Sequence, residues 1–196
     1  MDTTAVINIL LHGNQLKRTP RTGWVQRGVV NAEDVAAHSF GVVYAILVLA
    51  PLVEVDINLE RALAMAALHD LPESLTTDIP TPAWRYLPNG IKTEVERSSM
   101  QEMLGETNPQ LATESVEVTI SAQFMNWWEE LHAKETAESL LVHDADKIDM
   151  FLQALMYEQQ TGNQQLSEFW KKPFVFHYPE PQTIYNELRS HRINAS

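Results

Sequence analysis

The sequence predicts an all-α protein, and three observations carry that expectation. Apolar residues recur at helical spacing through most of the 196 positions. The stretches between them hold Asp, Asn, Gly and Pro, the residues that start and stop helices. Strand signals are almost absent, with “FVFHY” (174–178) the only weak one.

The elements follow in order. Residues 3–12 alternate at helical spacing and predict a first helix. A loop, “KRTPRTGWVQRGVVNAE” (17–33), is rich in Pro, Gly and Arg. A second helix starts near Asp34 and runs through His38 to about Leu49. Asn58 caps a third, “LERALAMAALHDL” (59–71), with Glu60 in its first turn. Apolar residues surround that helix, so burial on most sides is expected. “TTDIPTPAWRYLPNG” (76–90) holds Pro80, Pro82 and Pro88 and reads as loop. Further helices are predicted over 91–104, about 110–131 and 135–160. The tail, “KKPFVFHYPEPQTIYNELRSH” (171–191), reads as a Pro-rich linker and then a short helix.

A chain of this length fits one domain and hides roughly 70% of its unfolded surface. It has no cysteine, so neither disulfides nor thiolate metal sites hold it together, and any metal must use His, Asp or Glu. The net charge of −12, from 14 Lys+Arg against 26 Asp+Glu, argues against a nucleic-acid polymer as partner, which calls for a basic footprint. A small phosphorylated substrate stays compatible, because a bound divalent cation reverses the local field. The N-terminal “MDTTAVINILLHGNQLKR” places its basic residues after an apolar run, unlike a signal peptide. The nearest thing to a membrane span, “FGVVYAILVLAPLVEV” (40–55), is too short and contains Pro51. A soluble cytoplasmic protein with no membrane partner is the expectation.

Polar residues break the apolar pattern at His38, His69, Asp70 and one of the pair Asp144 and Asp146. An unpaired buried carboxylate is costly, so such a residue is paired, protonated or bound to a metal. Two imidazoles and two carboxylates make an N₂O₂ set of net charge −2, suited to Mn²⁺, Co²⁺, Fe²⁺ or Zn²⁺. Adjacent helix residues point about 100° apart, so His69 and Asp70 converge only where the helix ends. Pro72 supplies that break, having no N–H for the Leu68 carbonyl. On a helical wheel Asp144 falls in the stripe of Leu141, Ile148, Phe151 and Leu155, and Asp146 lies on a flank with Val142, Asp149 and Gln153. Apolar periodicity alone therefore favours Asp144.

The pattern of His38, His69–Asp70 and a late Asp resembles the HD-domain metal-dependent phosphohydrolase superfamily, and within it the compact 5′-deoxynucleotidase (YfbR-like) branch. Three blocks carry the resemblance in order: “LKRTPRTGWVQR” with “EDVAAHS”, then “LHDLPESLTTDIPTP”, then “VHDADKIDMFLQALMYE”. They span residues 16–158 of a single domain, 1–196, and leave 162–196 as a C-terminal extension. The resemblance implies that His38, His69, Asp70 and Asp146 are the ligands of one divalent transition ion, Co²⁺ or Mn²⁺, with Fe²⁺ and Zn²⁺ also fitting. The family block thus selects Asp146 over Asp144. It implies that Glu73 assists proton transfer at the attacking water or the leaving group. Asp78, with Ile79, Pro80 and Thr81, matches the loop that contacts deoxyribose and helps exclude ribose. Trp24 matches an aromatic at the nucleoside pocket. In that branch an Arg directly precedes the Trp and orients the phosphate. Here Gly23 stands there, and Arg21 and Arg27 are the candidates. “RTGW” also occurs in eukaryotic-type members of the branch.

The implied activity is removal of phosphate from (deoxy)nucleoside 5′-monophosphates by a metal-activated water. The alternative keeps the fold and metal but releases triphosphate or successive phosphates from a nucleoside triphosphate. A non-catalytic nucleotide-binding regulator has no use for Glu73 beside an intact ligand set. The partner is a small-molecule nucleotide, and the resemblance implies a homodimer. Taken singly, the residues have plainer readings: His38 a core histidine, Trp24 core packing, Glu73 a surface charge, Asp78 a turn cap, Arg21 and Arg27 solvated loop charges. Asp144, Lys147 and Asp149 read as helix-surface charge or hydrogen-bonding support.

Overall fold

Side-chain caps set three of the predicted helix starts. Asp34 accepts from the Ala37 amide at 2.8 Å and Asn58 from the Arg61 amide at 3.1 Å. Thr136 and Ser139 form a reciprocal capping box, which moves the start of the long helix from 135 to Ala137. Gly162, at φ 66°, ends it in the left-handed conformation. The computed structural model describes residues 3–80, 83, 85–105 and 116–194. Its helices are α1 (Thr3–Gln15), α2 (Thr22–Val25), α3 (Val35–Leu49), α4 (Leu59–Leu68), α5 (Glu73–Thr76), α6 (Ile91–Met103), α7 (Val116–Ala133), α8 (Ala137–Thr161) and α9 (Pro179–Asn194). Short 3₁₀ segments cover Leu16–Arg18 and Gln164–Trp170. Among the described residues there is no strand, and “FVFHY” runs as irregular chain.

Three expectations about extent are revised. The first helix continues to Gln15 rather than stopping at 12. The tail helix is 16 residues long, not short. Helix α4 buries Ala62, Met65, Ala66 and Leu68 but leaves Leu59 and Ala67 exposed, so it is covered on one face rather than on most sides. Its outer position is filled by a small alanine, whose contact with water costs little. The early part of the helix predicted from 110, residues 110–115, lies outside the described residues.

Helix α3 lies along α8, and α4 packs on both. The interior divides into two apolar clusters. The larger gathers Val42, Ile46, Met65, Ala66, Ile148 and Phe151, and the tail adds Leu166, Trp170, Phe176 and Tyr185. The smaller holds Leu16, Val35, Leu68, Leu71, Met100 and Trp128. On α3, His38 falls between Val35 of the smaller cluster and Val42 of the larger. His69 directly follows Leu68 of the smaller cluster and lies one turn after Ala66 of the larger. Polar residues on neighbouring helices thus meet at the seam between two cores.

Asp144, the residue that periodicity places inward, is fully buried. Its carboxylate accepts from the backbone N–H of His177 and of Tyr178, each at 3.0 Å, and lies 2.7 Å from His177 Nδ1. It is the anchor that holds the tail on α8 just before α9 begins. Removing it takes away the acceptor that His177 and Tyr178 share, so Asp144→Ala is expected to lower unfolding free energy by about 1–3 kcal/mol. Urea denaturation checks this, and a loss below about 1 kcal/mol would contradict the anchoring role.

Candidate active site

The end of α4 brings His69 and Asp70 to one point. The Leu68 carbonyl, which cannot bond to Pro72, takes the Leu71 amide at 3.0 Å instead. Asp70 O then accepts from the Glu73 amide at 3.0 Å, and α5 starts in a new direction. His69 is held by its Nδ1, 2.7 Å from Ala66 O. A carbonyl only accepts, so the proton is on Nδ1 and Nε2 carries a lone pair. His38, fully buried, has its Nδ1 2.7 Å from Asp149 Oδ2. The carboxylate takes that proton's hydrogen bond, and Nε2 is left facing the cluster.

The two Nε2 atoms face each other at 3.2 Å. Around them, Asp146 Oδ1 lies 3.3 Å from His38 Nε2, and Asp70 Oδ2 lies 3.1 Å from His69 Nε2 and 3.7 Å from His38 Nε2. With both rings neutral, two lone pairs at that separation repel, so a cation, whether a proton or a metal ion, belongs between them. Metal–ligand bonds of about 2.1 Å space neighbouring donors roughly 3.0 Å apart at right angles and roughly 3.4 Å at the tetrahedral angle. The donor set therefore fits a divalent ion in chemistry and in spacing.

Its electrostatics point the same way. Burial and Arg21 oppose protonation of His38, yet its hydrogen bonds to Asp146 and Asp149 push its pKa up to about 9. Burial acts to raise the Asp70 and Asp146 carboxyls, but His69 with Arg21, and Lys147 with His38, hold them below the usual carboxylate range. A pocket that draws a positive charge this strongly is suited to a cation.

A cleft opens over the cluster. Arg21, Glu73, Asp78, Lys92 and Lys147 supply its charged lining, and Ile79, Pro80, Met150 and Phe169 its apolar walls. Arg21 Nη1 reaches within 3.2 Å of Asp70 Oδ2. Glu73 is buried with Oε2 lacking a hydrogen-bond partner. Burial, then the charges of Asp70 and Asp78, push its pKa up to about 10, so this carboxyl keeps its proton at neutral pH. Asp78 Oδ2 accepts from the Thr22 amide at 2.6 Å, and the Thr22 hydroxyl donates to the Asp78 carbonyl at 2.6 Å. The preceding Thr77 sits at φ 61°, ψ 169°, a region ordinarily left to glycine, at a cost of about 1–3 kcal/mol. That turn aims Asp78 back at α2.

Other expected residues are placed differently. Thr81 lies outside the described residues. Arg27 lines the cleft but is tied to Gly23 O (2.9 Å) and Glu168 (3.2 Å), with its guanidinium 4.4 Å from the Phe169 ring centroid. Trp24 is only 2% exposed. Its Nε1 donates to Glu33 at 2.9 Å and its ring packs on Phe169 at 4.6 Å, so it lines the cleft beside Phe169 with most of the ring in the core. Lys92 and Phe169 were not singled out by sequence and Met150 was read as core, while Lys147 and Asp149 were read as helix-surface charge or hydrogen-bonding support. Asp149 had a signal, since it shares the wheel flank of Asp146. Phe169 had none, because only the folded tail brings it near. A second hollow, bordered by Arg61, Trp127 and Glu130, shares no residue with this cleft, and its Arg61 and Glu130 neutralise each other at 2.6 Å. Among the described residues no helix is long and apolar enough to cross a membrane.

Comparison with known proteins adds three likenesses. Residues 13–178 match the HD domain family. The chain is 31% identical over 180 residues to the 5′-deoxynucleotidase HDDC2 of Danio rerio, covering 91% of this chain and 83% of that protein. It is 32% identical over 170 residues to the 5′-deoxynucleotidase hdd1 of Schizosaccharomyces pombe, covering 84% and 79%. The solved structure of a conserved hypothetical protein from Pyrococcus furiosus superposes with a TM-score of 0.74 at 34% identity, covering 94% of this chain and 99% of that one.

Metal removal and return tests the cluster. At a free concentration about 100 times its Kd, an ion adds about 2.7 kcal/mol of stability, a rise in Tm of roughly 5–10 °C for a chain of this size. Chelator-treated protein given Mn²⁺ or Co²⁺ is expected to show that rise, and His69→Ala to abolish it. An equal rise in His69→Ala would place the ion elsewhere.

Proposed function

The chain belongs to the HD domain family of metal-dependent phosphohydrolases, and from that premise we propose that it is a 5′-deoxynucleotidase, releasing phosphate from deoxyribonucleoside 5′-monophosphates. The observation that carries this is the pair of opposed Nε2 atoms, ringed by Asp70 and Asp146, directly under Arg21 and a protonated Glu73. The kinship with two proteins named as 5′-deoxynucleotidases supports the substrate class.

His38, His69, Asp70 and Asp146 would hold the ion, Co²⁺ or Mn²⁺ in the first instance, with Fe²⁺ and Zn²⁺ also suited to the donor set. When bound, such an ion neutralises phosphate oxygens and lowers the pKa of a coordinated water. The remaining work falls to the chain. Arg21 takes the phosphate-orienting role that Gly23 cannot fill, because its guanidinium already lies beside the cluster and matches phosphate geometry. Lys92 and Lys147 add positive charge at the same mouth. Glu73 holds its proton on a buried carboxyl and passes it to the departing 5′-oxygen. Asp78, fixed by Thr22, with Ile79 and Pro80, faces the sugar and disfavours a 2′-hydroxyl. Phe169, Met150 and Trp24 wall the base. Arg27 braces Phe169 and is not assigned to the phosphate.

We also propose a homodimer. Phe40, Tyr44 and Val48 recur one turn apart on α3, with Phe40 71% and Tyr44 60% exposed and their rings stacked at 6.4 Å. An apolar stripe of this kind is suited to a second copy. Light scattering is expected to give twice 22.3 kDa, and Tyr44→Glu to give the monomer mass. A wild-type monomer would contradict the dimer.

Chromatography of products tests the activity. Metal-loaded protein is expected to yield nucleoside and orthophosphate from deoxyribonucleoside monophosphates and not to cleave di- or triphosphates. Triphosphate, or phosphate lost stepwise from triphosphates, would overturn the substrate class. Glu73→Gln is expected to keep the metal and lose about 10²–10⁴-fold in kcat, and full activity would remove Glu73 from proton transfer. Asp78→Ala is expected to narrow the ratio of deoxyribose to ribose turnover, and an unchanged ratio would place sugar selection elsewhere.

A further inference from the structure

We propose that Asp149 is a positioning residue for His38, and that the glycine at position 41 exists to let it reach. The inference rests on reading the His38 cluster as a metal centre. Asp149 lies on α8, one turn beyond Asp146, and its Oδ2 is 2.7 Å from His38 Nδ1. His38 is wholly buried, so no water competes for that proton. The contact pins the proton on Nδ1, points the Nε2 lone pair at the cluster and, through its charge, makes the ring a stronger donor. Carboxylate partners of ligating histidines act in this way, and their loss typically lowers metal affinity about 10–100-fold.

Gly41 is the independent observation. It stands on α3 three residues after His38, one turn along the helix, where the carboxylate passes between the helices. A Cβ there would lie 2.0 Å from Asp149 Oδ1 and 2.6 Å from its Cγ. Real atoms do not approach so closely, and the Asp side chain is too short to yield while keeping hold of the imidazole. Any other residue at 41 therefore drives Asp149 off His38. The space has been kept for the carboxylate.

The rest of the pocket closes around it. Glu33 brings a carboxylate oxygen within 4.8 Å of both His38 and Asp149. That same side chain accepts from Trp24 Nε1, and the Glu33 amide donates to the Tyr157 hydroxyl at 2.8 Å. The wall of the cleft and the support for the histidine thus share one half-buried polar group. Glu33, His38 and Asp149 have the composition of a second cation site, but Nδ1 cannot carry both a proton and an ion, and the 2.7 Å contact assigns it the proton.

The test is titration of metal-stripped full-length protein with Co²⁺, following the visible spectrum for affinity and stoichiometry, with thermal unfolding of the metal-free form beside it. Wild type is expected to bind one ion. Asp149→Asn, near in shape but uncharged, is expected to lose about 10-fold in affinity and Asp149→Ala about 100-fold. Gly41→Ala is expected to reproduce the loss with Asp149 intact, while metal-free Asp149→Asn keeps the wild-type unfolding temperature. Wild-type affinity and spectrum in Asp149→Asn and Asp149→Ala would overturn the proposal while leaving the metal centre standing. Two ions per chain would also overturn it. No Co²⁺ bound by wild type would instead bring down the metal centre itself, and this proposal with it.

Discussion

Two imidazole nitrogens opposed at 3.2 Å, each with its proton committed to the far side of its ring, set the terms for the rest of this molecule. With both rings neutral the arrangement is repulsive, and the fold gathers carboxylates around it where an apolar core would exclude them. Both histidines come from helices that serve two hydrophobic clusters at once, so the polar cluster occupies the seam and leaves each core dry. Burial then sharpens every charge it contains, because the local dielectric is low. The abrupt end of α4 follows from the same need. A continuous helix would send His69 and Asp70 in different directions, and Pro72 prevents that continuity.

Charge is distributed against the grain of the composition. A chain of net charge −12 carries only 14 lysines and arginines, yet Arg21, Arg27, Lys92 and Lys147 all line one cleft. Asp70, Asp78 and Asp146 line it too, so an ion bound among these carboxylates would leave the basic groups to make the mouth favourable to a phosphorylated small molecule. Within it, roles are separated by environment. Asp70 and Asp146 are held ionised by neighbouring cations, while Glu73, deeper among carboxylates, keeps its proton. Carboxylic groups a few residues apart are thus set up for opposite tasks.

Much of the fold was legible because it rests on local chemistry. Asp34, Asn58 and the proline-bearing loop announce their helix boundaries within a few residues of the events they cause. His38, His69 and Asp70 stood out as polar residues in apolar company. The late aspartate is more instructive. Periodicity selects Asp144, and it is indeed the buried one, but its partners are His177 and Tyr178, more than thirty positions away, and it holds the tail. A wheel reports burial and says nothing of what a carboxylate is buried against. The family block distinguished the two residues where periodicity did not. Phe169 and the long α9 stayed hidden for the same reason, since a Pro-rich stretch reads as linker until its aromatic residues are seen entering the core. Trp24 was visible as an aromatic near the cleft, but only packing shows that Phe169 stands beside it.

The account depends most on where the ring protons sit. Long-range ¹H–¹⁵N correlation NMR of the Zn²⁺-loaded protein, with His38 and His69 assigned by single substitutions, reads those positions directly. Both rings are expected to carry a proton on Nδ1 and to show a metal-shifted Nε2. A proton on Nε2 of either ring would contradict the opposed lone pairs from which the metal centre, and the chemistry built on it, are derived.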